Sequence, residues 1–174
     1  AGPDNPLLGL EGRAALLRRL GEVAAASPGV FARADTPRPG GLFDLLNYAG
    51  MSGNITVNLT DNLYNETGAI ALNQIAGGHT ITIQSSGAAR YIEGDAPNGM
   101  IRLNGADNVM FSGLAFGNPR GLTIRNLNSD NGQVFLYTND ASNNSIVNCV
   151  VAQNNLSPAI HFANGAATGN DNNT

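Results

Sequence analysis

Lysine is absent from this 174-residue chain, cysteine occurs once, at Cys149, and only 13% of the residues are charged and 6% aromatic. One thiol excludes an internal disulfide framework and any multi-cysteine metal site. All nine cationic residues are arginine, set against thirteen acids, so the formal net charge is -4. That balance, with a pI near 4.9, argues against a phosphate-binding surface and against a nucleic-acid partner. No run approaches the ~18 consecutive apolar residues of a spanning helix, so no membrane span is expected. What is there suits a globular chain: 42% hydrophobic residues and a mean hydropathy of -0.10 in 18.0 kDa, enough for one core.

Two compositions meet near residue 50. Only Asn5 and Asn47 fall in the first fifty positions, whereas twenty-two asparagines follow. The first part balances five arginines against five acids; residues 51–174 hold four arginines and eight acids and carry the whole negative balance. We therefore divide the chain into a helical N-terminal segment, 1–50, and a second domain, 51–174. In the first, EGRAALLRRLGEVAAA places Leu16, Leu17, Leu20, Val23 and Ala24 on one side of an amphipathic helix over residues 11–26, ended by Ser27-Pro28-Gly29. Residues 35–41 (DTPRPGG) read as a linker, and GLFDLLNY, residues 41–48, as a second short helix.

Beyond residue 51 the period changes from 3.6 to 2. Ile55, Val57 and Leu59 alternate with Thr56, Asn58 and Thr60, and Ile81 and Ile83 with Thr80, Thr82 and Gln84, as in strands. Further short strands are expected at 101–103, 109–111, 122–124, 134–137, 146–150 and 160–162, separated by turn pairs such as Asn98-Gly99, Asn104-Gly105, Asn131-Gly132, Asn143-Asn144 and Asn164-Gly165. Phe111-Ser112-Gly113-Leu114, Ile124-Arg125-Asn126-Leu127 and Ile146-Val147-Asn148-Cys149 share one pattern: apolar, any residue, small or Asn, apolar. The last two lie 22 residues apart and Leu136 lies 26 before Phe162, spacings that suit one coil of a solenoid. Phe111 and Ile124, only 13 apart, must then occupy different sides of one coil or a tight corner.

A parallel β-helix bends sharply two or three times per coil, and Asn and Gly accept the positive φ of such bends at least cost. Asparagines at equivalent corners also stack, amide to amide, so that polar groups inside the solenoid are satisfied. Asn126 and Asn148, matched in the repeat, are the expected ladder. The fold class read from these patterns is an all-β solenoid: a right-handed parallel β-helix of about five coils, with the N-terminal helical segment capping or flanking it. An amphipathic helix laid over the first coil would protect the open sheet edge.

The stretches TITIQSSG, IRLNGADNVMFSGL, LTIRN and TNDASNNSIVNC, and before them NITVNLTDNLYNETGAIALNQI, resemble the right-handed parallel β-helix of large secreted bacterial surface proteins with a pectate-lyase-like solenoid. The resemblance covers residues 55–174. It implies an extracellular or cell-surface location and a role as a structural or adhesive module with glycan contact, or as a polysaccharide lyase or hydrolase, since this scaffold serves all of these. It also implies a longer parent chain, and DNNT at 171–174 reads as the start of a further coil. NPLLGLEGRAALLRRLGE followed by RPGGLFDLL, within residues 5–46, resembles a segment of a cytoplasmic family associated with uracil catabolism, with no site to transfer.

Lyases on this scaffold need carboxylates for calcium and a basic residue to take a sugar-ring proton; hydrolases need two or three carboxylates close together. Glu93, Asp95, Asp107, Asp130 and Asp140 are candidates for the acids, and Arg102, Arg120 and Arg125 for the base. Glu93-Gly94-Asp95, if extended, projects two carboxylates to one side and is the calcium candidate; no other cofactor is expected. Tyr64, Tyr91 and Tyr137 offer flat faces to sugars, with Tyr91 and Tyr137 the chosen ligand candidates. His161, between Ile160 and Phe162, should face outward as a further ligand candidate. His79 and His161 are too far apart for a helical zinc motif, and no HExxH, CxxC or GxSxG is present. Cys149, aligned with Leu114 and Leu127, reads as a core thiol. Six Asn-x-Ser/Thr sequons, at Asn54, Asn58, Asn65, Asn143, Asn155 and Asn172, follow from the Asn-rich turns. The partners expected are a polysaccharide or surface glycan and, through exposed coil ends, a second copy of the chain.

Overall fold

In a computed structural model, which describes residues 41–114, 120–163 and 169–174, the chain winds as a parallel β-solenoid. Each coil contributes one strand to each of three sheets. The first coil is β1 (Ile55–Leu59), β2 (Leu63–Asn65) and β3 (Leu72–Asn73); the second β4 (Ile81–Ser85), β5 (Arg90–Gly94) and β6 (Ile101–Asn104). The third is β7 (Val109–Ser112), β8 (Leu122–Asn126) and β9 (Phe135–Thr138), and the fourth β10 (Ser145–Val147), β11 (Cys149–Gln153) and β12 (Ile160–Phe162). The sheets run β1-β4-β7-β10, β2-β5-β8-β11 and β3-β6-β9-β12, every pairing between these strands parallel.

The coil count is four, not the five expected. The repeat is uneven and reaches well beyond the 22 to 26 residues inferred from sequence: it is 25 between Phe135 and Ile160 and 26 between Ile55 and Ile81, but 35 between Met110 and Ser145. Longer corners use up chain without adding a coil. The segment expected as one strand at 146–150 is broken at Asn148, whose φ of 52° turns the chain from β10 into β11. Phe111 pairs with Ile146 in the first sheet, while Ile124 pairs with Val151 in the second. Phe111 and Ile124 therefore do occupy different sides of one coil, and the match between Ile124 and Ile146 is not a structural equivalence.

Inside, the alternating residues form continuous apolar columns: Val57, Ile83 and Phe111; Tyr64, Ile92 and Ile124; Leu72, Leu103 and Tyr137, all buried. Phe111 and Phe135 meet edge to face at 5.1 Å between ring centroids, an arrangement that adds to the area term. The buried Tyr64 hydroxyl accepts hydrogen bonds from the amides of Thr60 and Asp61, both at 2.8 Å, so a phenol fits the core without an orphaned oxygen.

The second short helix expected from GLFDLLNY is present as α1 (Leu42–Ala49). It buries Leu42, Phe43 and Leu46 against the first coil and packs on β3. Asn47 completes the cover: its Nδ2 donates to the Ala71 carbonyl at 2.8 Å and its Oδ1 accepts from the Asn73 amide at 2.9 Å. One side chain thus satisfies the backbone groups an edge strand leaves open. The helix expected over residues 11–26, and the Asn164-Gly165 turn, lie outside the described residues.

The fourth coil is less enclosed among the described residues. In the fourth coil Ile160 and Phe162 continue the inward columns of Phe135 and Tyr137 yet stand 38% and 47% exposed. Residues 170–174 lie over the corner before β10: the Ile146 amide donates to the Thr174 carbonyl at 2.7 Å, as Ile81 does to Asn108 and Ile55 to Thr80.

Candidate functional site

The sheet register sorts the candidate residues. On the outer face of the second sheet, Glu93 of β5 lies opposite Arg125 of β8, and Arg125 Nη2 donates to Glu93 Oε1 at 2.5 Å. Asp95, just past β5, accepts a hydrogen bond from Asn128 Nδ2 at 2.6 Å. The two acids of the calcium candidate are therefore held by different partners on the next coil, and Gly94 between them turns inward. Asp107 sits at the corner after β6, where its Oδ1 accepts from the Ser142 amide at 2.8 Å and its Oδ2 from Gln74 Nε2 at 3.5 Å. Arg102 of β6 donates from Nη1 to the Gly68 carbonyl at 3.2 Å.

Asp130 and Asp140 bond locally. The Asp130 amide donates to Asn128 Oδ1 and its carboxylate accepts from the Ser129 hydroxyl. Asp140, in the left-handed region with φ 67°, accepts from the Ser142 hydroxyl. Arg120 is exposed, also with positive φ. Of the candidate acids and bases, the fold brings only Glu93 and Arg125 into direct contact. Among the described residues no three His, Cys, Asp or Glu side chains cluster to hold a metal ion.

Tyr91 lies on the outer face of β5 beside Leu63 of β2, both exposed. Tyr137 does not belong with it. The alternation of β9 turns Phe135 and Tyr137 inward, Tyr137 is only 2% exposed, and its ring stacks on Phe162 at 4.7 Å. Burial pushes its phenol above the ordinary tyrosine range. It is a core residue and offers no sugar-facing surface. His161 lies opposite Leu136 on the outer face but is half-buried, and its Nδ1 has no partner among the described residues. Cys149 pairs in register with Leu122, not with the exposed Leu114 and Leu127. It still packs against the core, and burial pushes its thiol up to about 11.

Asparagine side chains do join the coils, Asn126 among them through the Ala96 amide and carbonyl of the coil beneath, but Asn148 does not. Asn126 lies opposite Gln153, while Asn148 is an exposed corner. On the rim of the third sheet Asn104 Nδ2 donates to Asn73 Oδ1 at 2.7 Å, and Asn139 Nδ2 donates to Asn104 Oδ1 at 2.5 Å. At the corner before the first sheet two asparagines clamp the coil beneath them. Asn144 takes the Val109 amide and donates to the Ala106 carbonyl; Asn173 takes the Asn144 amide and donates to the Ala141 carbonyl. The unequal coil lengths hid these equivalences from a search at one fixed spacing.

Glu66 was missed altogether. It is 2% exposed, its Oε1 accepts from the Gly68 amide at 2.8 Å, and its Oε2 has no partner among the described residues. Burial raises its pKa from 4.5 to about 7, against the opposing pull of the backbone hydrogen bonds from Gly68 and Thr67. Alternation from the inward Tyr64 would have placed it inside.

Comparison with known proteins adds one match. A family described as a protein of unknown function (DUF1688) matches residues 1–76. The matched stretch is under half of the chain; it takes in α1 and the first coil and ends shortly after β3. No curated protein and no solved structure matches the chain. Among the described residues no helix is long and apolar enough to cross a membrane.

Proposed function

We propose that the chain is a non-enzymatic structural or adhesive module of an extracellular or cell-surface protein, a right-handed parallel β-helix that contacts polysaccharide or surface glycans along an outer face. The hand is the one parallel crossovers take in almost all known sheets. One observation supports the reading: five of the eight side chains with the chemistry to cleave sugars are engaged in joining coils. Glu93 holds Arg125, Asp95 holds Asn128, Asp107 holds Ser142 and Gln74, and Arg102 holds Gly68, each across a coil boundary. A lyase base must be free to take a proton, and an arginine neutralised by a carboxylate at 2.5 Å is poorly placed to do so. Tyr91 and Leu63, exposed side by side, supply the apolar surface on which sugar contact would rest.

The test is incubation of the purified chain with a polysaccharide panel, polygalacturonate and alginate included, with and without calcium. Unsaturated products and new reducing ends are followed together. No release above the blank is expected; release that Glu93→Gln or Asp107→Asn abolishes would overturn the proposal in favour of a lyase or hydrolase.

A second reading, association of copies through open coil ends, is favoured by the exposure of Ile160 and Phe162 where their counterparts Phe135 and Tyr137 are buried. Edge strands with free backbone groups and apolar residues are ready to pair.

A further inference from the structure

The register that aligns Glu93 with Arg125 runs one residue further, into the interior. Gly94 lies opposite Asn126 and Asn126 opposite Gln153, and in the first coil the same place belongs to Glu66, whose amide donates to the Glu93 carbonyl. An inward polar column thus descends the corner after the second sheet: Glu66, Gly94, Asn126, Gln153. Gly94 is required there, because a Cβ would fall on the Glu66 carbonyl.

Asn126 shows what this position asks of a side chain. Its Oδ1 accepts from the amide two residues on, Asn128, and from the Ala96 amide. Its Nδ2 donates to the carbonyls of Ala96 and Gln133. Gln153 likewise donates from Nε2 to the carbonyls of Asn155 and Ser157. At Asn126 the position uses one acceptor atom and one donor atom, which an amide supplies; Gln153 uses the donor, its Oε1 having no partner among the described residues. Glu66 meets the first half in the same manner, with Oε1 accepting from the amide two residues on, Gly68. Its second oxygen is buried and unpartnered among the described residues, the atom left for the role that NH2 plays in Asn126. An ionised carboxylate has no donor; a carboxylic acid has one.

We propose that Glu66 is held as the neutral acid, with its proton on Oε2 in the role of the amide NH2, and that loss of this proton loosens the first coil. Among the described residues the ionisable groups of the elements packed around it do not offer a counter-charge. Glu93 points outward and is paired with Arg125, Asp95 is exposed and bonded to Asn128, and Asp44 of α1 and Asp61 before β2 are acids. Arg102 reaches the same turn but donates to the Gly68 carbonyl. The turn of Glu66 to Gly68 packs instead on Ala96 and Gly99, a setting that penalises charge. The folded pKa, at about 7, is raised above the ordinary 4.5. The native state therefore binds the extra proton, so its stabilisation is complete below pH 4.5 and is lost as pH rises through 7.

The experiment compares urea unfolding of the 174-residue chain and its Glu66→Gln variant from pH 5 to pH 8.5. The glutamine keeps the donor at every pH. The ratio of the two folding equilibrium constants is expected to move in favour of the variant from pH 5 upward, by up to about tenfold per pH unit, and to level off above pH 7, where the wild type has lost the proton in both states. A ratio that does not change between pH 5 and pH 7, or that moves toward the wild type there, overturns the proposal, since it means an ionised and partnered carboxylate. If the variant does not fold, the carbon-13 shift of the Glu66 carboxyl in the wild-type chain reads the same fact: a midpoint near 7 supports the neutral acid, and one near 4.5 overturns it.

Discussion

At Asn148 the backbone turns with φ 52° and the side chain is exposed; at Asn144, four residues earlier, the side chain is buried and bridges the Ala106 carbonyl and the Val109 amide of the coil beneath. One residue type does two unrelated things here, and substitution separates them. Asn144→Ala strands a buried donor and acceptor of the coil below and is expected to cost about 1–3 kcal/mol in chemical denaturation. Asn148→Gly keeps the positive φ and is expected to stay within about 0.5 kcal/mol of wild type, while Asn148→Ala loses about 1–2 kcal/mol to the left-handed backbone. Equal losses for Asn144→Ala and Asn148→Gly would contradict the division. That asparagine marks corners was legible in the sequence, and Asn108, Asn139, Asn143, Asn148 and Asn172 do take positive φ. Which asparagines also clamp a neighbouring coil was not, because that depends on what lies below them.

The strands divide along the same line. Those with two or more alternating branched residues, such as Ile55–Leu59, Ile81–Ser85 and Leu122–Asn126, announce themselves by period. Leu63–Asn65, Leu72–Asn73 and Arg90–Gly94 do not: they are short or place charges on the outer face, and they exist because strands stacked above them complete their hydrogen bonds. The helix α1 shows an element whose stability is borrowed from its neighbour. Eight residues are too few for a helix alone in water, but Leu42, Phe43 and Leu46 close the apolar end of the first coil. Phe43→Ala is expected to lose about 3–5 kcal/mol, and hydrogen exchange should then rise first in β1 to β3. Exchange rising evenly through all four coils would show instead that α1 is not a local cover.

Over the whole molecule the two ends are unlike. One is covered by α1 and the Asn47 side chain; at the other, Ile160 and Phe162 are partly bare. A mass above 18.0 kDa that rises with concentration is expected in light scattering, and Phe162→Asp should return it to the monomer, because a carboxylate cannot be desolvated against an apolar end. A wild-type monomer at every concentration would remove end-to-end association from consideration.

The sequence by itself determined the architecture class: period-2 apolar alternation, sparse charge and asparagine- and glycine-rich bends permit little other than stacked short strands, and these are properties of neighbouring residues. It also placed Glu93 and Arg125 among five acids and three arginines of interest. Only the tertiary structure decided that these two bind each other, that Tyr137 is core, that the coils number four, and that Glu66 lies in a polar column with Asn126 and Gln153. Those facts depend on register between coils, and coils of 25 to 35 residues place no residue opposite its partner at a constant spacing in the chain.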